Sequence, residues 1–126
     1  MPTTQLELDR SDSGNADIVI IGLNGKLSLE TVHDFIETMR PEPAPVLILD
    51  MGKCTFLDSA GVGALVSIFV SRRNHGKKLI LAGLTLQGQA VMQVSGLIKL
   101  LPLYPLVEDA IKASGKSNDS AASGAH

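Results

Sequence analysis

Two short apolar runs, Val46–Leu49 and Leu79–Ala82, constrain the fold of this chain more than any other feature. Each is too short for a helix and too apolar for a loop, so each reads as a strand buried on both faces. Between them, Ser59 to about Asn74 has helical spacing, with Val62, Leu65, Val66, Phe69 and Val70 as its core stripe. A strand, a helix and a second strand in that order imply a parallel pair joined by a right-handed crossover.

The flanking segments extend this pattern. Gln5–Leu8 reads as an edge strand and Asp17–Leu23 as a buried one, and the polar cluster Ser11–Asn15 between them makes an antiparallel hairpin. Ser28 is the expected cap of a helix from Leu29 to about Arg40, whose apolar face is Val32, Phe35, Ile36 and Met39. Pro41, Pro43 and Pro45 end it. Arg72 and Arg73 suit the negative C-terminal end of the central helix, which Gly76 terminates. Leu86–Ser95 reads as a helix closed by Gly96, Leu100–Leu103 as a last short strand, and Val107–Ala113 as a final helix. The expected architecture is α/β: a mixed, mostly parallel sheet of four to five strands, with helices packed mainly on one face.

A chain of 126 residues with 44% apolar and 19% charged residues fits one domain. Residues 1–113 form that domain in this reading. Residues 114–126, rich in Ser, Gly, Ala, Asn and Asp, are expected to be a disordered tail. The net charge of −2 gives no bulk attraction to nucleic acid or to an anionic membrane. Phe35, Phe56, Phe69 and Tyr104 are too few aromatics for a base-stacking platform. No apolar run approaches the roughly 20 residues of a membrane span, so no direct membrane insertion is expected. Cys54 is the only cysteine, which points to a reducing cytoplasm.

The chemistry concentrates at Leu57-Asp58-Ser59-Ala60-Gly61-Val62-Gly63-Ala64-Leu65. Asp58 reads as the N-cap, with Leu57 and Val62 as the hydrophobic staple. Ser59 is then the first helical residue, its hydroxyl presented at the C-terminal rim of the strands, where open α/β sheets place their sites. Gly61 and Gly63 each weaken a helix by up to about 1 kcal/mol against alanine. Off the core stripe, Ala60, Ala64, Ser67, Ile68 and Ser71 form a small, uncharged face suited to a docking partner. Two readings fit: a capped helix whose glycines allow tight packing on the sheet, or a hydroxyl and backbone left open to a partner. Asp58, Ser59, Ala60, Gly61, Gly63, Ala64 and Ser67 are the candidate partner-binding residues.

Other patterns carry less. Gly61-Val62-Gly63 lacks the third glycine of a dinucleotide fingerprint, and Gly22–Ser28 lacks the spacing of a P-loop. His33, His75 and His126 support no triad with Ser59. Cys54, read as lying in the loop before the motif, has no activating base. Nothing has metal-ligand spacing, so neither a catalytic residue nor a cofactor or metal site is expected.

The motif resembles the signature of the sulfate transporter and anti-sigma factor antagonist (STAS) domain family. More narrowly, it is similar to the free-standing bacterial anti-sigma factor antagonists of the SpoIIAA type. Ile21–Leu27 resembles that family's second strand and following turn, Val46–Asp50 the strand leading to its phosphorylation loop, and Val94–Leu97 the end of its third helix. The resemblance spans roughly Gln5 to Ala113. It implies that Ser59 is phosphorylated by an anti-sigma factor that is also a serine kinase, with Asp58 its acidic neighbour. The unphosphorylated antagonist would bind that kinase and release the sigma factor, and a PP2C-type phosphatase would reset it. A monomer or weak homodimer is expected. The alternative within the same fold is a scaffold subunit of a lipid-transport or stress-sensing complex. The chain departs from the family at one turn, where Lys26 and Ser28 stand in place of common acidic residues.

Overall fold

The computed structural model describes residues 5–122, with side chains through Ser114. His126 and the rest of residues 123–126 lie outside the described residues, as do residues 1–4. The strands are β1 (Leu6–Asp12), β2 (Ile18–Leu27), β3 (Val46–Asp50), β4 (Cys54–Leu57), β5 (Lys78–Ala82) and β6 (Leu103–Tyr104). The helices are α1 (Val32–Met39), α2 (Ser59–Asn74), α3 (Leu86–Val94) and α4 (Val107–Ala122), with a 3-10 turn at Leu97–Lys99.

The sheet is mixed and mostly parallel, in the order β1-β2-β3-β5-β6, with β4 also paired to β2. It has six strands among the described residues, not the four to five expected. The additional one is β4, formed by Cys54–Leu57 in the segment read as a loop. β1 lies antiparallel along one edge of β2, from Val19 to Gly25. The other edge of β2 is shared. Ile18–Gly22 pairs with β3, and after a tight turn Gly25–Leu27 pairs with β4. Thus β2 is longer than Asp17–Leu23 because a second partner continues where β3 stops.

Alternation along the strands splits the core. Val19, Ile21, Leu23, Leu47, Leu49, Leu79 and Leu81 pack with Phe35, Met39, Leu65 and Met92 from α1, α2 and α3. Ile18, Val46, Ile48, Ile80 and Ala82 point the other way and meet Ala110 of α4. Helices therefore lie mainly on one face. Leu47, Ile48 and Leu49 are fully buried, as a central strand covered on both sides requires.

Several boundaries move. Ser28 is not the cap of α1: Thr31 precedes the helix, and its Oγ1 donates to the Lys26 carbonyl at 2.8 Å and accepts from the Ser28 N–H at 3.0 Å. The expected strand Leu100–Leu103 is displaced to Leu103–Tyr104, because Leu97–Lys99 forms the 3-10 turn first. The final helix continues past Ala113 to Ala122, and Ser114 is buried with its hydroxyl bonded to the Ala110 carbonyl at 2.8 Å.

The end of α2 shows what Arg72 does. Gly76, at φ +72°, sits in a Schellman turn, with Lys77 N–H on the Arg72 carbonyl and Gly76 N–H on the Arg73 carbonyl. Arg72 turns inward rather than capping the helix end. Its guanidinium donates to the carbonyls of Lys78 (2.8 Å), Glu42 (3.1 Å) and Ala44. Burial pulls its pKa down, against the opposing pull of Glu42. Glu42, itself buried, accepts from Arg10 at 3.1 Å and from the Ala44 N–H at 2.9 Å. One cation and one carboxylate thus satisfy the polar backbone of the proline-rich α1–β3 loop.

Candidate functional site

The turn from β4 into α2 is held from three sides. Asp58 adopts extended backbone (φ −110°, ψ −176°), and its side chain accepts from the Gly61 N–H at 2.8 Å, a standard N-cap. Its second oxygen accepts from the Leu29 N–H at 3.1 Å, tying the β2–α1 turn to the start of α2. The third tie comes from α3. Gln87 accepts from the Leu57 N–H at 3.0 Å and donates to the Leu57 carbonyl at 2.8 Å. That side-chain amide pairs with β4 as another strand would. Leu57 and Val62 are both 1% exposed, as the staple reading requires.

Ser59 emerges from this framework exposed, and no hydrogen bond engages its hydroxyl among the described residues. The Val62 N–H, bonded to the Asp58 carbonyl at 2.9 Å, closes the first turn of the helix. Ahead of it, the Gly61 N–H is taken by Asp58, and the start of the helix carries the positive end of the helix dipole.

The two glycines divide between the two readings of the motif. A Cβ on Gly61 would stand 2.3 Å from the Leu27 carbonyl oxygen and 2.8 Å from Leu57 Cδ1, so this glycine lets α2 pack directly on the end of β2. Gly63 is exposed, and a Cβ there would meet nothing within 4 Å. Of the candidate partner-binding residues, Ser59, Gly63 and Ser67 are exposed, and Asp58 and Ala60 are half-buried. Gly61 and Ala64 are corrections: both are buried, Ala64 at 4% exposure, and neither offers a surface. The core stripe of α2 is rotated accordingly. It runs through Gly61, Val62, Ala64, Leu65, Ile68 and Arg72, whereas Val70 is 43% exposed.

Three apolar side chains on the segments that meet at this turn are exposed: Leu29 (74%), Phe56 (42%) and Leu86 (82%). Each adjoins a residue bonded into this turn or is bonded into it. Only Leu29 left a trace in the sequence, by falling off the Val32–Phe35–Ile36–Met39 stripe. Ser28 lies beside them, buried, and its hydroxyl has no partner among the described residues. Cys54 is also buried, on β4 rather than in a loop, and burial pushes its thiol pKa up, away from the reactive thiolate. Among the described residues no group of His, Cys, Asp or Glu is arranged to hold a metal, and no helix is long and apolar enough to cross a membrane.

The STAS domain profile matches residues 11–110, most of the chain and all of the site. The chain belongs to the STAS domain family. Its sequence is 24% identical, over 98 residues, to the anti-sigma-B factor antagonist of Listeria monocytogenes, covering 78% of this chain and 86% of that protein. Its fold is similar to that of an anti-sigma factor antagonist from Mycobacterium paratuberculosis, with a TM-score of 0.76 at 19% identity over 86% of this chain and 92% of that one. The anti-sigma factor antagonist SpoIIAA in its unphosphorylated form gives a TM-score of 0.71 at 21% identity, over 88% and 96% of the two chains. In STAS terms, the exposed serine begins the helix that follows the fourth strand, and the cap and the α3 clamp hold that junction in place.

Proposed function

We propose that this STAS domain is an anti-sigma factor antagonist whose binding is switched at Ser59. In its unphosphorylated form it binds an anti-sigma factor serine kinase, which releases the sigma factor. Phosphorylation of Ser59 by that kinase ends the interaction, and a PP2C-type phosphatase restores it. The observation that carries this reading is the Ser59 hydroxyl, exposed and unengaged at the first position of α2, while Asp58 does the capping.

The energetics support a switch that leaves the fold intact. A phosphate adds about −1.5 to −2 charges. At a helix N-terminus an anion is favourable by about 0.3–2 kcal/mol, so the domain keeps its structure. Against a partner carboxylate about 5 Å away, each added charge costs about 3 kcal/mol at an effective dielectric of 20. That corresponds to roughly a hundredfold loss of affinity. The exposed small residues Gly63 and Ser67, and the exposed apolar side chains of Leu29, Phe56 and Leu86, are what a folded partner docking here would cover.

The test is incubation with an anti-sigma factor serine kinase and ATP, with modification sites located by mass spectrometry and affinities measured by calorimetry. Phosphate is expected on Ser59 alone, with binding by Ser59→Glu reduced roughly a hundredfold. An unmodified Ser59, or equal kinase affinity for wild type and Ser59→Glu, overturns the reading. Capture of a transporter ATPase instead of the kinase would assign the domain to a scaffold role.

A further inference from the structure

A second surface lies beside the Ser59 site and is built differently. β1 is a terminal strand of the sheet, so among the described residues one of its edges is unpaired. The Lys26 N–H donates to the Gln5 carbonyl at 2.8 Å, which fixes the alternation along β1. Odd-numbered residues bond to β2, and the N–H groups of Leu6, Leu8 and Arg10 point outward. Along this edge runs a groove of about 740 Å³ between β1 and α1, lined by residues that include Leu6, Leu8 and Phe35. Its polar lining includes Glu7, Asp9, Glu30 and Asp34 and no lysine or arginine. All four carboxylates are on exposed residues, and among the described residues none forms an ion pair. At one end the groove is lined by Glu30 and Thr31, which follow Leu29, the residue whose N–H is held by Asp58.

We propose that this edge docks an extended, cationic polypeptide segment of a partner protein, which adds a strand to β1. Backbone pairing supplies the register, as in strand addition generally. Side chains of the added strand that lie beside Leu6 and Leu8 reach Glu30 and Asp34, and those of the opposite parity lie beside Glu7 and Asp9. Lysine or arginine fits in either phase: beside Leu6 and Leu8 its aliphatic stem lies over the apolar floor, and in the other phase its charge meets Glu7 or Asp9. Charge selects this occupant over a second copy of the chain. Two β1 strands edge to edge would set Glu7 and Asp9 against the same residues of the other copy, and like charges across a strand pair repel.

The probe is a capped octapeptide of alternating lysine and valine, titrated into the full chain labelled with nitrogen-15, with amide exchange read at Leu6, Leu8 and Arg10. Those three amides are expected to gain protection, and an alternating glutamate–valine peptide is expected to leave them unchanged. The double variant Glu7→Lys, Asp34→Lys changes two exposed positions, so the fold is retained, and it should weaken lysine-peptide binding about tenfold. No binding, equal binding of the acidic peptide, an unchanged affinity in the variant, or binding without protection at the three amides overturns the proposal. So does protection that appears on concentrating the protein alone together with dimer formation in sedimentation, since the edge would then belong to a second copy. The result is independent of whether Ser59 is phosphorylated.

Discussion

Replacing either glycine at the start of α2 with alanine should have opposite effects, although the two stand two residues apart. At Gly63 the added methyl meets nothing within 4 Å, and helix propensity alone decides. The gain is about 0.5–1 kcal/mol. At Gly61 the methyl would sit 2.3 Å from the Leu27 carbonyl oxygen. That is more than about 1 Å inside ordinary contact. The obstructing atom is backbone, at the end of β2, so relief requires α2 to move away from the sheet. Moving it strains the Asp58–Gly61 cap at 2.8 Å and the Asp58 N–H to Leu27 carbonyl bond at 3.4 Å. Overpacking of this kind costs about 1–3 kcal/mol, more than propensity returns. At roughly 3–6 °C per kcal/mol for a domain of this size, Gly63→Ala should raise the melting temperature by about 2–5 °C. Gly61→Ala should lower it by about 5–15 °C. Urea denaturation followed by circular dichroism gives the same comparison, provided the m-value is unchanged. A Gly61→Ala variant as stable as wild type, or a destabilised Gly63→Ala, would refute the packing argument. A Gly63→Ala variant that is more stable yet binds its partner more weakly would locate the partner on that face of α2.

Asp58→Ala should cost about 1–2 kcal/mol in chemical denaturation, since it removes the acceptor for both Gly61 and Leu29 N–H, and Asp58→Asn should recover much of that loss. Acid stability should depend on Glu42. Burial pushes its carboxyl up, but hydrogen bonds from Arg10 and the Ala44 N–H, with the charges of Arg10 and Arg72, bring it below the usual glutamate value. A depressed carboxylate stabilises the fold above its unfolded pKa of about 4.3 and loses that contribution as pH falls through the lower folded value. Glu42→Gln should therefore be less stable than wild type at pH 7, with the gap narrowing below about pH 4 in pH-dependent melting curves.

The elements with strong local signals were legible in the sequence. Val46–Leu49 and Leu79–Ala82 are strands, and Asp58, Leu57 and Val62 cap and staple α2 as their spacing implied. What escaped depends on contacts remote in sequence. Cys54–Leu57 is a strand because β2 has an edge left open where β3 ends, a fact of topology that four residues do not encode. The buried face of α2 is rotated from the apolar stripe because Gly61, which approaches the end of β2 most closely, and buried Ala64 register weakly as hydrophobic, and because Arg72 goes inside to satisfy carbonyls. Thr31, not Ser28, stands at the N-cap position of α1, and its hydroxyl bonds back to Lys26 and Ser28 instead of capping the helix. At the site, sequence located Ser59 and Asp58 but not Gln87, because a glutamine on an exposed helix looks like any solubilising residue until its helix is docked.

The pair of hydrogen bonds between Gln87 and Leu57 gives the molecule an internal gauge. The Leu57 N–H is held by one side chain that belongs to α3, so it exchanges only when Gln87 releases it. Exchange of that single amide proton therefore reports the seating of α3, one residue before Asp58 and two before Ser59. Any event at Ser59 that loosens or tightens α3 becomes readable at one backbone position, without a label or probe on the surface where a partner would dock.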